Sequence, residues 1–367
     1  LRKPAPVATT LSLPAPGTTK PRRSLAVVGF SNVAKKPDQE WISTALSEMF
    51  TTDLGTGGKL RLVPGESVGR MKQELQLASA ASYAPDTLDK IKRNLDADLV
   101  IVGSYVGLGK QLRIDVRMQD AATGETLAQI AETTTEADMA SVVTRVSAQL
   151  RDKLQIAKQQ RGEGTAFVNT ALPQNPEAAK LYSEALARIR LYRMSDARDL
   201  LERAIQIEPS FPLGHAALSE ALSYLGAEDQ AHEAIKRAYD LREQLPTEER
   251  LRVEGLYHLE FGDKQRRLEA YTQLYQMAPD NIEHAMNYIT ALSAVDEKAG
   301  VAMLEKIAKT PQAKNEPRFL LLTSLVSYGK HDFESVIAIS RQLEKAGEER
   351  GTLSFVGGPG GRLVETK

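Results

Sequence analysis

Two glycine-lysine pairs are the first places where this chain could hold a nucleotide, because backbone amides of a glycine loop cradle phosphate while the lysine neutralises it. At Gly58-Lys59, Asp53 stands where the loop needs its first glycine and Leu60 where it needs serine or threonine. At Gly109-Lys110 the same places hold Ser104 and Gln111, between two strand-like runs rather than between a strand and a helix. Both read as turns. Phosphoryl transfer finds no other footing: Gly107-Leu108-Gly109 has Leu112 in place of the third kinase glycine, and Glu260-Phe261-Gly262 follows no catalytic loop. His215, His232, His258, His284 and His331 all lie in the second half, and no two share the i, i+4 spacing that puts two metal ligands on one helical face. No Gly-x-Ser-x-Gly elbow occurs and the carboxylates are too scattered to single out an acid-base pair. The chain has no cysteine, which removes thiol nucleophiles, cysteine metal sites and disulfides. The expectation is a region without catalytic residues, metal or cofactor.

What such residues would need is a frame, and the frame changes along the chain. Residues 1–23 carry Pro4, Pro6, Pro14, Pro16 and Pro21 among threonines, a spacer composition, ending in a basic cluster of Lys20, Arg22 and Arg23 expected to be solvated. Residues 24–154 read as an α/β domain with a mixed sheet and flanking helices. Leu25 to Phe30 is a short apolar strand, and Asp38 is a plausible N-cap for a helix burying Trp41, Ile42, Ala45, Leu46, Met49 and Phe50. Leu60 to Val63 reads as a second strand, helices follow near 68–77 and 85–95, and runs at 98–105, 112–119 and 126–134 form an antiparallel meander. A helix near 137–154 closes the domain, and 155–174 is a second linker with Gly162, Gly164 and Pro173.

Beyond Asn175 the pattern becomes periodic. Ala197 and Ala204 return as Ala231 and Ala238 thirty-four residues later, with Leu201 echoed by Ile235. That period predicts stacked helical hairpins, because a unit of this length buries its apolar face only against neighbours. Ala185, Ala197, Ala204 and Pro209 fit the small-residue and closing-proline places of a tetratricopeptide repeat. Ser219, Ala231 and Ala238 take them in the second repeat, and Gly255, Tyr271 and Pro279 in the third. With 281–308 and 317–346 as degenerate units, about five hairpins span 175–350, leaving 351–367 as an irregular tail.

The opening AVVGF strand, the DQEWISTALSEMFTTDL helix and the DADLVIVGSY and DAATGETL segments resemble the TolB-like N-terminal domain. With YAPDTLDKIKRNLDADLVIVGSY and LPTEERLRVEGLY, residues 24–350 resemble the sensor-like region of bacterial serine/threonine kinases of eukaryotic type. The resemblance implies an α/β TolB-like domain tethered to an all-α tetratricopeptide superhelix whose groove, lined by the first helix of each hairpin, takes a peptide or protein. On that basis the groove candidates are Tyr182, Leu186, Arg190, Glu220, Tyr224, Arg252, Leu256, Glu260, His284 and Tyr288. A lysine and asparagine clamp for a peptide carboxylate is missing, since Tyr182, Leu186, Glu249 and Val253 stand at its places.

A formal net charge of −1 argues against direct nucleic-acid binding. No stretch approaches the roughly 18–20 apolar residues of a membrane span. Leu1 and the Gly357 to Gly361 stretch read as cut edges, so the parent is expected to be longer, membrane-anchored with this region outside the cytoplasm, or else cytoplasmic. Two alternatives stay open. The α/β domain could bind a small ligand in a crevice near Gly29 and Gly103 with the repeats used for assembly, or the region could be the effector part of a winged-helix regulator.

Overall fold

The computed structural model describes residues 22–156, 172–310, 313 and 317–350. Most of the proline-rich segment, most of the 155–174 linker and the 351–367 tail lie outside them. The sheet is built from β1 (Ser24–Asn32), β2 (Arg61–Leu62), β3 (Leu99–Leu108), β4 (Gln111–Asp120) and β5 (Thr126–Thr134), in the order β2-β1-β3-β4-β5. β1 is parallel to β2 and β3, and β3 to β5 form the antiparallel meander. The sheet is therefore mixed, as the alternation of strand-like runs and turns predicts.

Period-2 patterning sets the faces. Leu112, Ile114, Val116 and Met118 of β4 point into one core with α1 (Trp41–Gly55) and α4 (Met139–Lys153), where Trp41 is buried and Phe30 stacks on Phe50 at 5.5 Å. Ala26, Val28, Val100 and Val102 face the other way, under α2 (Gly65–Glu74) and α3 (Pro85–Leu95). Gly109 turns the β3–β4 hairpin at φ +66°, so the second glycine-lysine pair is hairpin geometry. The Asp38 cap is corrected. Asp38 sits in a single 3-10 turn, Pro37–Gln39, and α1 begins one step later without a side-chain cap.

Among the described residues five helix pairs follow: α5 (Pro176–Arg190) with α6 (Met194–Ile207), α7 (Pro212–Tyr224) with α8 (Glu228–Asp240), α9 (Thr247–Glu260) with α10 (Lys264–Met277), α11 (Ile282–Val295) with α12 (Glu297–Ile307), and α13 (Pro317–Gly329) with α14 (Phe333–Arg350). Ala185, Ala197, Ala231 and Ala238 are fully buried where helices meet. Tyr271 does not take a small-residue place. Allowing for an insertion of two residues near Leu245-Pro246, it falls in register with Leu201 and Ile235, and its ring leaves no room opposite for more than glycine: a Cβ on Gly255 would lie 2.3 Å from it.

The array opens on a capped helix, with Pro176 in the first turn and the Asn175 side chain accepting from Glu177 N at 2.9 Å and Ala178 N at 3.2 Å. Asn175→Ala should lower the unfolding free energy by about 1 kcal/mol in denaturant titrations while Asn175→Asp leaves it nearly unchanged. Equal losses in both would remove the cap from the account.

The α/β domain, expected to be tethered to the helical array, also packs directly on it. One apolar cluster runs from Leu25 and Trp41 through Ala179, Tyr182 and Phe211 to Val253, so α1 and α4 share a core with the first three hairpins. α5 lies on α1 and α2, and α14 reaches back to α3. The array wraps the domain.

Candidate functional site

The seam between the two regions gathers the charged residues. From α1, Glu48 accepts a hydrogen bond from Arg190 at the end of α5. From α2, Gln73 donates to the Arg190 carbonyl at 3.1 Å. Gly65 and Gly69 make that approach possible, since a Cβ on Gly69 would come within 3.1 Å of three Arg190 side-chain carbons. Glu66, on the first turn of α2, acts electrostatically on Tyr182, Arg190, Glu220 and Arg252, residues from three successive first helices. Burial, then the neighbouring Glu48, pushes the Tyr182 phenol up, and partial desolvation by the surrounding wall raises Glu220, whose side chain still meets solvent, against the opposing charge of Arg252. The Glu249 carboxylate, 2.7 Å from the half-exposed Arg252, is the main cause raising the pKa of that guanidinium.

A second contact closes the far side. The Arg22 Nε donates to both Asp280 oxygens at 3.0 and 2.9 Å, its backbone N–H donates to the same carboxylate, and Nη1 donates to Gly58 O at 3.1 Å. Asp280 is pushed up by burial but ends below the usual carboxylate range because these Arg22 bonds outweigh it. Arg22 was expected to be a solvated linker end; it is a half-buried bridge from the β2 edge to the turn before α11.

Of the ten groove candidates, the structure brings Tyr182, Arg190, Glu220 and Arg252 together on the inner wall, facing the α/β domain of the same chain. Leu186 and Leu256 are half-buried against the shared core. His284 and Tyr288 are internal: Nδ1 of His284 lies 3.1 Å from Leu274 O and Nε2 3.2 Å from Glu248, while Tyr288 stacks on Tyr275 at 5.2 Å. Spacing placed them on the wall, but the neighbouring hairpin covers them. Tyr224 is 64% exposed and Glu260 pairs with His232 at 3.3 Å, both at the hairpin-turn edge. Spacing alone missed Glu48, Glu66, Gln73 and Arg22. The available signal was on α1, where Ser43, Ser47 and Thr51 make a polar stripe at i, i+4, i+8 beside an apolar face.

Among the described residues no group of histidine and carboxylate side chains could hold a metal ion, and no helix is long and apolar enough to cross a membrane. Gly103 offers no crevice, because a Cβ there would meet Asp115 O at 2.2 Å and the Phe30 ring at 2.7 Å.

No family model matches the chain. A putative adenylate cyclase 3 of Rhizobium meliloti (strain 1021) is 28% identical over 203 residues, 53% of this chain and 32% of that protein. The chain thus spans about a third of that relative's length. Among solved structures, YrrB, a TPR protein with an unusual peptide-binding site, covers 47% of this chain and 86% of its own at 10% identity and a TM-score of 0.32. MamA from Desulfovibrio magneticus RS-1 covers 48% and 97% at 14% identity and a TM-score of 0.34, and the LpoB C-terminal domain from Salmonella enterica covers 32% and 87% at 19% and 0.26.

Proposed function

We propose that this chain is a non-catalytic protein-interaction and sensing region of a larger bacterial signalling protein, in which the inner wall of a tetratricopeptide array holds a TolB-like α/β domain until a peptide or protein partner competes for that wall. The observation that carries the reading is the Arg190–Glu48 pair across the seam, beside Glu66, whose charge is felt by Tyr182, Arg190, Glu220 and Arg252 of three successive first helices. These first-helix positions are the ones a groove ligand would use, and one of them, Arg190, already pairs with the α/β domain in cis. The output unit is a nucleotide-using signalling domain, a serine/threonine kinase by the sequence resemblance, and the name of the Rhizobium relative supports the same class of output through a cyclase.

The test is partner binding to the full chain, with the partner captured from the source cell and then measured as a purified pair. Arg252→Ala with Glu220→Ala should weaken binding at least tenfold, the equivalent of about 1.4 kcal/mol. Glu48→Arg should strengthen it by weakening the internal competitor. Equal affinity in all three chains would remove the inner wall from recognition.

A further inference from the structure

A cavity of about 310 Å³ opens at the seam between β1, α1, α2 and α5. Its position follows from the sheet. β2 is two residues long and pairs only with Ser24 and Leu25, so beyond Leu25 β1 has a neighbour on its β3 side alone. α1 packs on one face of the sheet and α2 on the other, so the exposed edge of β1 between them stays open as a cleft. β1 also changes register between Val27 and Gly29, and Gly29 has φ +126°. Only glycine fits there without strain, and a Cβ would stand 3.4 Å from Lys72 Nζ and 3.7 Å from Ser43 Oγ.

The polar inventory is unbalanced toward donors. Lys72 Nζ donates to Ser79 Oγ at 2.9 Å and has no carboxylate partner among the described residues. Burial, and then the neighbouring charge of Arg190, lowers its pKa, so its ammonium sits in a place that lacks a counter-charge. Arg190 spends Nη2 on Glu48 while its Nε is buried with no partner. Ser43 Oγ accepts from Phe30 N at 3.2 Å, which leaves its own proton to give. The hydroxyls of Ser47 and Thr51 are tied to carbonyls one turn back, and Glu48 is neutralised by Arg190. Val27, Val68, Ala187 and Leu191 complete the lining with apolar surface.

We propose that this cavity binds a small metabolite carrying an oxyanion, a phosphate monoester or a carboxylate, held by Lys72 and the Ser43 hydroxyl beside the Arg190 guanidinium, with its organic part against Val68 and Leu191. The walls come from both the α/β domain and the first repeat helix, so occupancy ties the two together. This inference does not depend on how the array recognises a partner.

The full chain is titrated with inorganic phosphate in one arm and pyruvate in the other, following the thermal midpoint and heat of binding. The expected result is saturable stabilisation by at least one anion at millimolar concentration. Lys72→Gln should weaken it at least tenfold and Ser43→Ala, which keeps charge and fold, about fivefold. Lys110→Gln, an exposed turn lysine, should leave it unchanged. Stabilisation by phosphate alone assigns the phosphate monoester, and by pyruvate alone the carboxylate. Stabilisation by neither anion, or equal stabilisation in wild type, Lys72→Gln and Ser43→Ala, overturns the proposal.

Discussion

Arg151→Met lowers the unfolding free energy by about 3–5 kcal/mol, the range expected when one partner of a buried ion pair is removed. Asp53 on α1 is fully buried, and Arg151 on α4 reaches its carboxylate at 3.1 Å and also donates to its backbone carbonyl. This is the residue that stands where a phosphate loop would need glycine. Its carboxylate pins two helices beneath the sheet. Burial holds the Asp53 carboxyl above the ordinary range, with the Arg151 charge working against that rise. A raised acid binds more protons folded than unfolded, so its ionisation costs stability as pH climbs above the ordinary carboxylate value. Without Arg151 that cost grows. The deficit of Arg151→Met measured by denaturant titration should therefore be larger at pH 7 than at pH 5, and Asp53→Asn in the same chain should recover part of it. A deficit below about 1 kcal/mol, or one that does not change with pH, would mean that the pair is not what holds α1 to α4.

The elements were legible because each is a local contest between periodicities. The 34-residue recurrence, the alternation in β4 and the glycine turns each follow from a few neighbouring side chains. The seam was not legible for a physical reason. Glu48 and Arg190 are 142 positions apart and Arg22 and Asp280 are 258 apart, and each of these looks like an ordinary solvated charge in its own stretch of sequence. His284 and Tyr288 were misplaced for a related reason: helical spacing assigns a face, while burial of that face depends on the next hairpin's approach angle. Gly65 and Gly69 could have been read as breakers on α2; the structure uses them as the flat strip on which the Arg190 stem lies.

Glu48→Arg should loosen the array from the α/β domain without unfolding either one. The reversal puts a guanidinium beside Arg190 and near Lys72, in a seam where Arg190 is only 14% exposed and Glu48 26%. Removing one member of a hydrogen-bonded charge pair in such a place costs about 2–5 kcal/mol, and the added like charge moves the loss toward the upper end. Hydrogen exchange should accelerate in α2 and along the α1-facing side of α5, while β3 to β5 keep their protection, since their ladder does not depend on the seam. The shared apolar cluster continues to hold α5 near α1, so the expected change is a faster local opening rather than separation. Arg190→Glu alone should act in the same direction, because two carboxylates then face each other at the same point. The double exchange, Glu48→Arg with Arg190→Glu, restores one pair of opposite charges and places a carboxylate near Lys72, so its protection should return most of the way to wild type. A coupling energy near zero between the two substitutions would show that Glu48 and Arg190 do not meet in solution. That result would also weaken the reason for expecting the inner wall to be occupied in cis, because the direct contacts left there are the Gln73 bond to the Arg190 carbonyl and apolar packing, and neither pairs opposite charges.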